Sequence, residues 1–331
     1  MIGFGDKTSI GVITIGRNEG VRLLKCLDSL NASDAPFMRI IYVDSGSTDG
    51  SVIAALDMHV QVVLLDTAQP FTAARARNAG LAALRDGTAP DLVQFVDGDC
   101  VLDPGWIDTA DAFLAEHPDV AVVCGRRREM HPEASVYNRL CDAEWNTPVG
   151  EARSCGGDAL MRWSALEAVG GYDPTLIAGE EPEMCLRMRR AGWKIWRIDA
   201  EMTLHDAAMM RFGQFWQRMR RGGHAAAEGA AIYGRDAERH GIAARRRALV
   251  WGLLLPLMLL LGAIPFGPWV LWGFMIYPAQ IVRLALRDGG TQGAWERAML
   301  MTVGKFAEAQ GVAAYHWRRW QGRTGGLIEY K

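Results

Sequence analysis

What most constrains this chain is a rhythm that runs from Ile10 to Cys124. Short apolar, β-branched runs recur, separated by turn-rich or helical stretches. Ile10 to Ile15 is the first run, Ile40 to Val43 the second and Val60 to Leu65 the third; Leu92 to Val96 is the fourth and Val120 to Cys124 the fifth. Between the first two, Val21, Leu23, Leu24, Leu27 and Leu30 repeat at helical spacing behind Asn18, which reads as an N-cap. Thr72 to Arg85 reads as an alanine-rich helix. Runs without polar alternation are covered on both faces. They predict an α/β fold, a doubly wound, mostly parallel sheet with helices on both faces. Ligand sites in such sheets lie beyond the carboxyl ends of the strands. Asp44 ends the second run and Asp97-Gly98-Asp99 the fourth, so these acids belong to one mouth.

Of the 331 residues, 50% are hydrophobic and 22% charged, a balance that excludes a disordered chain. The net charge of -2 argues against nucleic acid as a partner. Basic residues gather after Arg187 and acidic ones before it, which points to a C-terminal half facing an anionic surface. The six cysteines form no C-x-x-C pair, and their spacing predicts neither a zinc site nor a disulfide scaffold; reduced thiols in a cytosolic compartment follow. Met1 to Ser9 lacks the basic-then-apolar pattern of a signal peptide. Beyond Arg126 the pattern turns irregular, with helices predicted from Arg162 to Val169, Glu183 to Ala191 and Met209 to Glu228.

From Ala248 to Val282 no residue carries a formal charge, and Pro256, Pro265, Gly267 and Pro268 interrupt the stretch. A spanning helix takes about 20 apolar residues. A pair of short or tilted membrane helices and a hairpin that enters one leaflet both fit; a buried core hairpin is the third reading. Arg245, Arg246 and Arg247 flank one end and Arg283 and Arg287 the other, which places both ends in the cytoplasm. Ala294 to Trp320 mixes aromatic and basic residues, as either a membrane interface or a packed amphipathic helix does. The predicted domains are therefore residues 1–230, and a membrane-associated helical region 231–331 with its apolar hairpin at 248–282.

Chemistry concentrates at a few acids. Asp97 and Asp99, one residue apart at a strand end, can hold a hard cation such as Mn²⁺ or Mg²⁺, which would neutralise a diphosphate leaving group. Asp44 can accept hydrogen bonds from a base or ribose, or simply form its own turn. Glu180, Glu181 and Glu183 open a helix, where acids are stabilising in any case. Crowding among them raises a carboxyl pKa towards that of a general base. His205 reads as a structural histidine or a third metal ligand.

These motifs, in this order, resemble family-2 glycosyltransferases of the GT-A fold over residues 9 to 230. Val12 to Glu19 resembles the family's opening strand and loop, which implies that Ile15, Arg17, Asn18 and Glu19 line the nucleotide. Tyr42 to Ser51 is similar to its second-strand segment, with Asp44 on the base and Asp49 shaping the turn. Ala74 to Gly80 resembles the A-R-N-x-G motif and places Arg77 near the nucleotide. Asp97-Gly98-Asp99, trailed by Pro104 and Trp106, resembles the metal-binding D-x-D. Gly156 to Arg162 resembles the acceptor-side G-G-N loop, with Gly157 kept and Asp158 in the usual Asn position. Gly179-Glu180-Glu181 resembles G-E-D, whose last acid is the base; Glu181 takes that place and Glu180 is its rival. Gln217 to Arg221 resembles Q-x-x-R-W, keeping Gln217 and Arg220 but with Arg221 for Trp, which favours single-sugar addition.

The resemblance implies an inverting transfer of one sugar from a nucleoside-diphosphate sugar to an acceptor hydroxyl. Mn²⁺ or Mg²⁺ would be held by Asp99, Asp97 and His205. With the apolar hairpin it implies an enzyme at the cytoplasmic face of the inner membrane, in contact with membrane lipid. Its acceptor would be a lipid-linked or other saccharide of surface polysaccharide or glycolipid assembly. Direct transfer to a polyprenyl phosphate, and a non-catalytic membrane scaffold, are the alternatives.

Overall fold

The computed structural model describes residues 8–33 and 37–322; of the segment Met1 to Ser9, residues 1–7 lie outside that range. The chain divides into two compact units. One holds Met1–Met130, Asp142–Leu176 and Glu180–Ala207; the other holds His131–Cys141, Ile177–Gly179 and Ala208–Lys331.

The first unit is built on one sheet. Its strands are β1 (Ile10–Gly16), β2 (Phe37–Asp44), β3 (Gln61–Leu64), β4 (Leu92–Asp97), β5 (Cys100–Leu102), β6 (Val120–Glu129), β7 (Gly150–Ala152), β8 (Ala159–Arg162) and β9 (Lys194–His205). The order is β3-β2-β1-β4-β8-β6-β9-β5, with β7 paired to β9. β1 to β4 run parallel, and β6 runs parallel to β9. β8 is antiparallel to both β4 and β6. In β1, β2 and β4, the neighbours Val12 and Ile13, Tyr42 and Val43, and Phe95 and Val96 are all buried. Side chains on both faces are thus covered, as the unbroken apolar runs predict.

The helix Val21–Asn31 buries Leu23, Cys26, Leu27 and Leu30. Its N-cap is Gly20 and not Asn18. Asn18 has a positive φ of 55° and ties two loops together instead. Its Oδ1 accepts from the Thr48 N–H at 2.7 Å, while its own N–H donates to Ser47 Oγ at 2.9 Å. The helix Ala73–Arg85 is capped by Thr72, whose side chain accepts from the Arg75 N–H. This helix lies close on β1 because residue 80 is glycine: a Cβ there would sit 2.5 Å from Ile13 Cγ2. The pattern beyond Arg126 is more regular than its composition indicates. β9 is 12 residues long, with the charged Arg197, Asp199 and Glu201 interleaved among apolar positions. The helix predicted from Glu183 begins at Glu180, so the acids occupy its first turn.

The second unit is helical. The helix Phe212–Tyr233 packs on the 29-residue helix Gln292–Trp320. Glycines permit the contact, since Cβ atoms at Gly223 and Gly311 would enter the backbones of Glu308 and Arg220 respectively. Small residues at helix crossings allow this backbone approach. The apolar segment forms two helices, Ile242–Phe266 and Pro268–Arg287, long and apolar enough to cross a membrane by length and composition. Ile264, Phe266, Trp269 and Trp272 are 80%, 67%, 68% and 74% exposed. The buried-core reading of this hairpin therefore fails: its apolar side chains point outwards.

Gly80→Ala tests the seat of the Ala73–Arg85 helix. Overpacking against Ile13 costs about 1–3 kcal/mol and helix propensity returns about 1 kcal/mol. The net loss should lower the apparent Tm in a thermal melt.

Candidate active site

The carboxyl ends of β1, β2 and β4 meet at one mouth. The Ile15 carbonyl accepts from the Gly98 N–H at 2.8 Å, and a Cβ on residue 98 would lie 3.0 Å from that carbonyl oxygen. Glycine is what lets the Asp97-Gly98-Asp99 loop press against β1. Arg17 stands 4.6 Å over the Phe71 ring, and Glu19 pairs with Arg22 at 2.7 Å. Asp44 is buried; it accepts from Tyr42 Oη, Gly46 N–H and Ser47 N–H, each at 2.8 Å. The turn-forming role is therefore present in full.

A guanidinium joins this mouth to the helix Glu180–Arg190. Arg77, only 4% exposed, donates from Nη2 to Asp97 Oδ1 and from Nη1 to Glu180 Oε1, each at 2.9 Å. Burial alone would lower its pKa, yet the charges of Asp97 and Glu180 raise it, so it stays a cation. A second arginine reaches the same loop. Arg127 lies 3.3 Å from Asp97 Oδ2 and 3.3 Å from Asp158 Oδ2, 4.9 Å over the Trp145 ring. Asp158, 1% exposed, accepts from the Asp97 N–H at 3.0 Å and from Thr203 Oγ1 at 2.9 Å. It braces the loop from beneath. Gly157 passes so close that a Cβ would meet Asp97 Oδ2 at 2.6 Å. Trp106, trailing the loop, is buried and donates from Nε1 to Gln94 Oε1 at 2.8 Å, which fastens that segment to β4.

Asp99 and His205 face each other, His205 Nε2 lying 3.3 Å from Asp99 Oδ2 with both side chains buried. Register accounts for this, because Cys100 pairs with His205 across β5 and β9. Burial, then the charge of Arg127, lowers the His205 pKa and favours the neutral imidazole, the form that binds metals. Its Nδ1 is buried without a hydrogen-bond partner. Glu129 Oε2 stands 3.9 Å from that atom, in the place where a carboxylate supports a ligating histidine. The ligand atoms of Asp99, Cys100 and His205 lie within 4.8 Å of one another. Cys100 Sγ donates to Asp158 Oδ2 at 3.3 Å, and hard cations prefer oxygen and nitrogen to sulfur, so the donors are Asp99 and His205, a set that fits Mn²⁺ or Mg²⁺. Asp97 has both oxygens turned to arginines.

Glu181 differs from its neighbour. Its Oε1 accepts from the Cys155 N–H at 2.6 Å, Cys155 Sγ at 3.1 Å and Cys185 Sγ at 3.0 Å. Burial raises its pKa, and these donors only partly offset the rise. Gln217 and Arg220 lie on the helix Phe212–Tyr233 of the second unit, with Arg220 Nη1 donating to Gln217 Oε1 at 3.3 Å. The sequence reading omits Arg127, Trp145, Glu129, Thr203, Cys155 and Cys185. For Arg127 a signal existed: a run of arginines continuing a buried strand.

Residues 11–154 match the family model described as glycosyl transferase family 2. Over those residues the chain is similar to glycosyl transferase family 2. The succinoglycan biosynthesis protein ExoA of Rhizobium meliloti (strain 1021) is 23% identical over 265 residues, which span 76% of this chain and 79% of that protein. The pre-mycofactocin glycosyltransferase of Mycobacterium tuberculosis (strain ATCC 25618 / H37Rv) is 26% identical over 215 residues, 60% of this chain but 42% of that one. Among solved structures, the mannosyltransferase PcManGT from Pyrobaculum calidifontis, in complex with GDP-Man and Mn²⁺, aligns with a TM-score of 0.60 at 20% identity. The alignment covers 95% of this chain and 88% of that one. The fold is that of the GT-A glycosyltransferases, with its C-terminal helical region.

Arg77→Ala leaves the buried Glu180 without its cation and Asp97 with Arg127 alone. The expected loss is on the order of 3 kcal/mol, the cost of breaking a buried pair. Arg85→Ala is the contrast, since Arg85 and Glu167 are 64% and 57% exposed; its loss should stay under about 1 kcal/mol. Thermal melts of both variants read the difference.

Proposed function

We propose that this chain is a metal-dependent, inverting glycosyltransferase with Glu181 as its base. One observation carries the reading. Glu181, a carboxyl whose pKa is raised by burial, follows Glu180, which Arg77 ties to Asp97 of the Asp97-Gly98-Asp99 loop. Base and donor loop thus belong to one bonded network.

Ile15, Arg17, Asn18, Glu19 and Asp44 line the donor nucleotide, with Arg77, Asp97 and Gly98 beside its sugar end. Asp99 and His205 would hold Mn²⁺ or Mg²⁺, with Asp97 as the third expected ligand once its arginines release it. When bound, the cation supplies positive charge against the leaving diphosphate. Glu181 takes the proton of the acceptor hydroxyl. The freed oxygen attacks the anomeric carbon on the face opposite the leaving group, and the configuration inverts. Gly157 and Asp158 shape the acceptor side, to which the resemblance also assigns Gln217 and Arg220.

The outward apolar helices, the flanking arginines and ExoA's name in succinoglycan biosynthesis support a polysaccharide role at a membrane. The acceptor is then a lipid-linked saccharide, and the catalytic module 1–230 works at the cytoplasmic face of the inner membrane, with 231–331 as its membrane-associated region.

Thermal-shift measurements with UDP, GDP, dTDP and CMP, each with and without Mn²⁺, test the donor site. A nucleotide at about a hundred times its Kd should add roughly 2.7 kcal/mol of apparent stability. The gain should need metal and vanish in Asp99→Ala. If no nucleotide stabilises the chain, the scaffold alternative holds.

Glu181→Gln should lower kcat by about 10²- to 10⁴-fold. The acid limb of the wild-type pH profile should lie above 4.5, because activity falls as a base with a raised pKa is protonated. The sign for stability is opposite. A carboxyl with a raised folded pKa loses stability as pH rises through that pKa, so Glu181→Gln should melt no lower than wild type at neutral pH. Near-normal turnover would instead favour direct transfer to a polyprenyl phosphate, an acceptor already ionised.

A further inference from the structure

The base has unusual company. Glu181 and Cys185 lie one turn apart on the helix Glu180–Arg190, and Cys155 comes to them from the segment between β7 and β8. Cys155 Sγ stands 3.8 Å from Cys185 Sγ, and Glu181 Oε1 is 3.1 Å and 3.0 Å from the two sulfurs. We propose that Cys155, Cys185 and Glu181 form a site for a thiophilic divalent cation, Zn²⁺ being the probe, and that filling it withdraws Glu181 from sugar transfer. The second half of this proposal rests on the reading of Glu181 as the base.

The separations carry the first half. Two metal–sulfur bonds of about 2.3 Å at a tetrahedral angle place their sulfurs about 3.8 Å apart, the distance seen here. A disulfide needs about 2.05 Å, so the thiols sit at a metal-bridging separation and not a bonding one. All three ligand atoms lie within 4.8 Å of one another. Glu181 and Cys185 are buried, while Cys155 is half-buried between exposed Ser154 and Gly156, which gives a cation a way in.

The chemistry separates this site from the Asp99–His205 pair. Oxygen and imidazole donors suit Mn²⁺, whereas two sulfurs select a softer ion. A metal bound by Oε1 of Glu181 holds the lone pair that a base needs. Spacing alone does not announce the cluster, since 30 residues separate the two cysteines.

The test uses the full chain, stripped of metal and kept reduced with a phosphine. Cd²⁺ and Co²⁺ are titrated while thiolate-to-metal charge-transfer absorption is followed, and Zn²⁺ is titrated against a chromophoric chelator. Transfer is then assayed with added Zn²⁺ under saturating Mn²⁺. The proposal expects a thiolate band that saturates at one equivalent. The band should be lost in Cys155→Ser and Cys185→Ser and kept in Asp99→Asn. Zn²⁺ should slow transfer at least tenfold. Absence of the band in the wild type, a measurement that needs no variant to fold, overturns the site; so does a band that survives both serine variants. Full-rate transfer with Zn²⁺ on the cysteines overturns the masking, while Glu181→Gln turnover alone decides whether Glu181 is the base. An inactive Glu181→Gln beside a wild type without the band leaves the base standing and removes the site.

Discussion

The rest of the site depends on the Arg77 guanidinium between Asp97 and Glu180. Two carboxylates brought together in a low-dielectric mouth repel, and a buried ion without a partner costs several kcal/mol. One planar fork answers both, with a 2.9 Å bond to each acid. Arg77 and Glu180 are 103 apart in sequence, so one side chain fixes the helix Glu180–Arg190 against the end of β4. Arg77 can do this only because its own helix is pressed onto β1 at Gly80. The constraint therefore runs from a missing methyl, through a helix seat, to a guanidinium and on to the position of Glu181.

That arrangement separates two adjacent acids. Glu180 meets a cation, while Glu181 receives a backbone N–H and two thiols. Neutral donors in a buried place allow a proton affinity above the ordinary range, as the raised pKa of Glu181 reflects. Neighbouring carboxyls pushed apart by their surroundings are the usual way one site obtains different acid–base roles. The sequence motif alone leaves the two as rivals; their partners differ, and the proposed reading of Glu181 as the base rests on that difference.

What could be read from the sequence was local. The runs that became β1, β2 and β4 are buried on both faces, and the acids that follow β2 and β4 needed only their place at strand ends. The Asp99–His205 pair required the β5–β9 register, and β9 was hidden because Arg197, Asp199 and Glu201 interrupt its apolar positions. Arg127 escaped for a related reason. Strands β6 and β9 shift register between Cys124 and Arg127, so no simple alternation assigns Arg127 a face. Cys155 and Cys185 carried no spacing signal, since the fold and not the sequence brings them together. Asn18 shows the converse, a residue of the right type for a cap that the loop used to hold Thr48.

The exchange at residue 158 follows from the same electrostatics. An amide there would brace the loop through the Asp97 N–H and Thr203 Oγ1 without adding charge. Aspartate makes both bonds as an acceptor but adds a buried acid to a mouth that already holds Asp97, Asp99, Glu180 and Glu181. Arg127 is what makes it tolerable: it reaches Asp158 and Asp97 at equal distance, and the Trp145 face covers its guanidinium. Residues 127 and 158 are therefore one unit. With an amide at 158, Arg127 would lose one of its two acids and bear on Asp97 alone. With the acid in place the arginine is shared, so the charge that Asp158 adds is answered by the same guanidinium that holds Asp97.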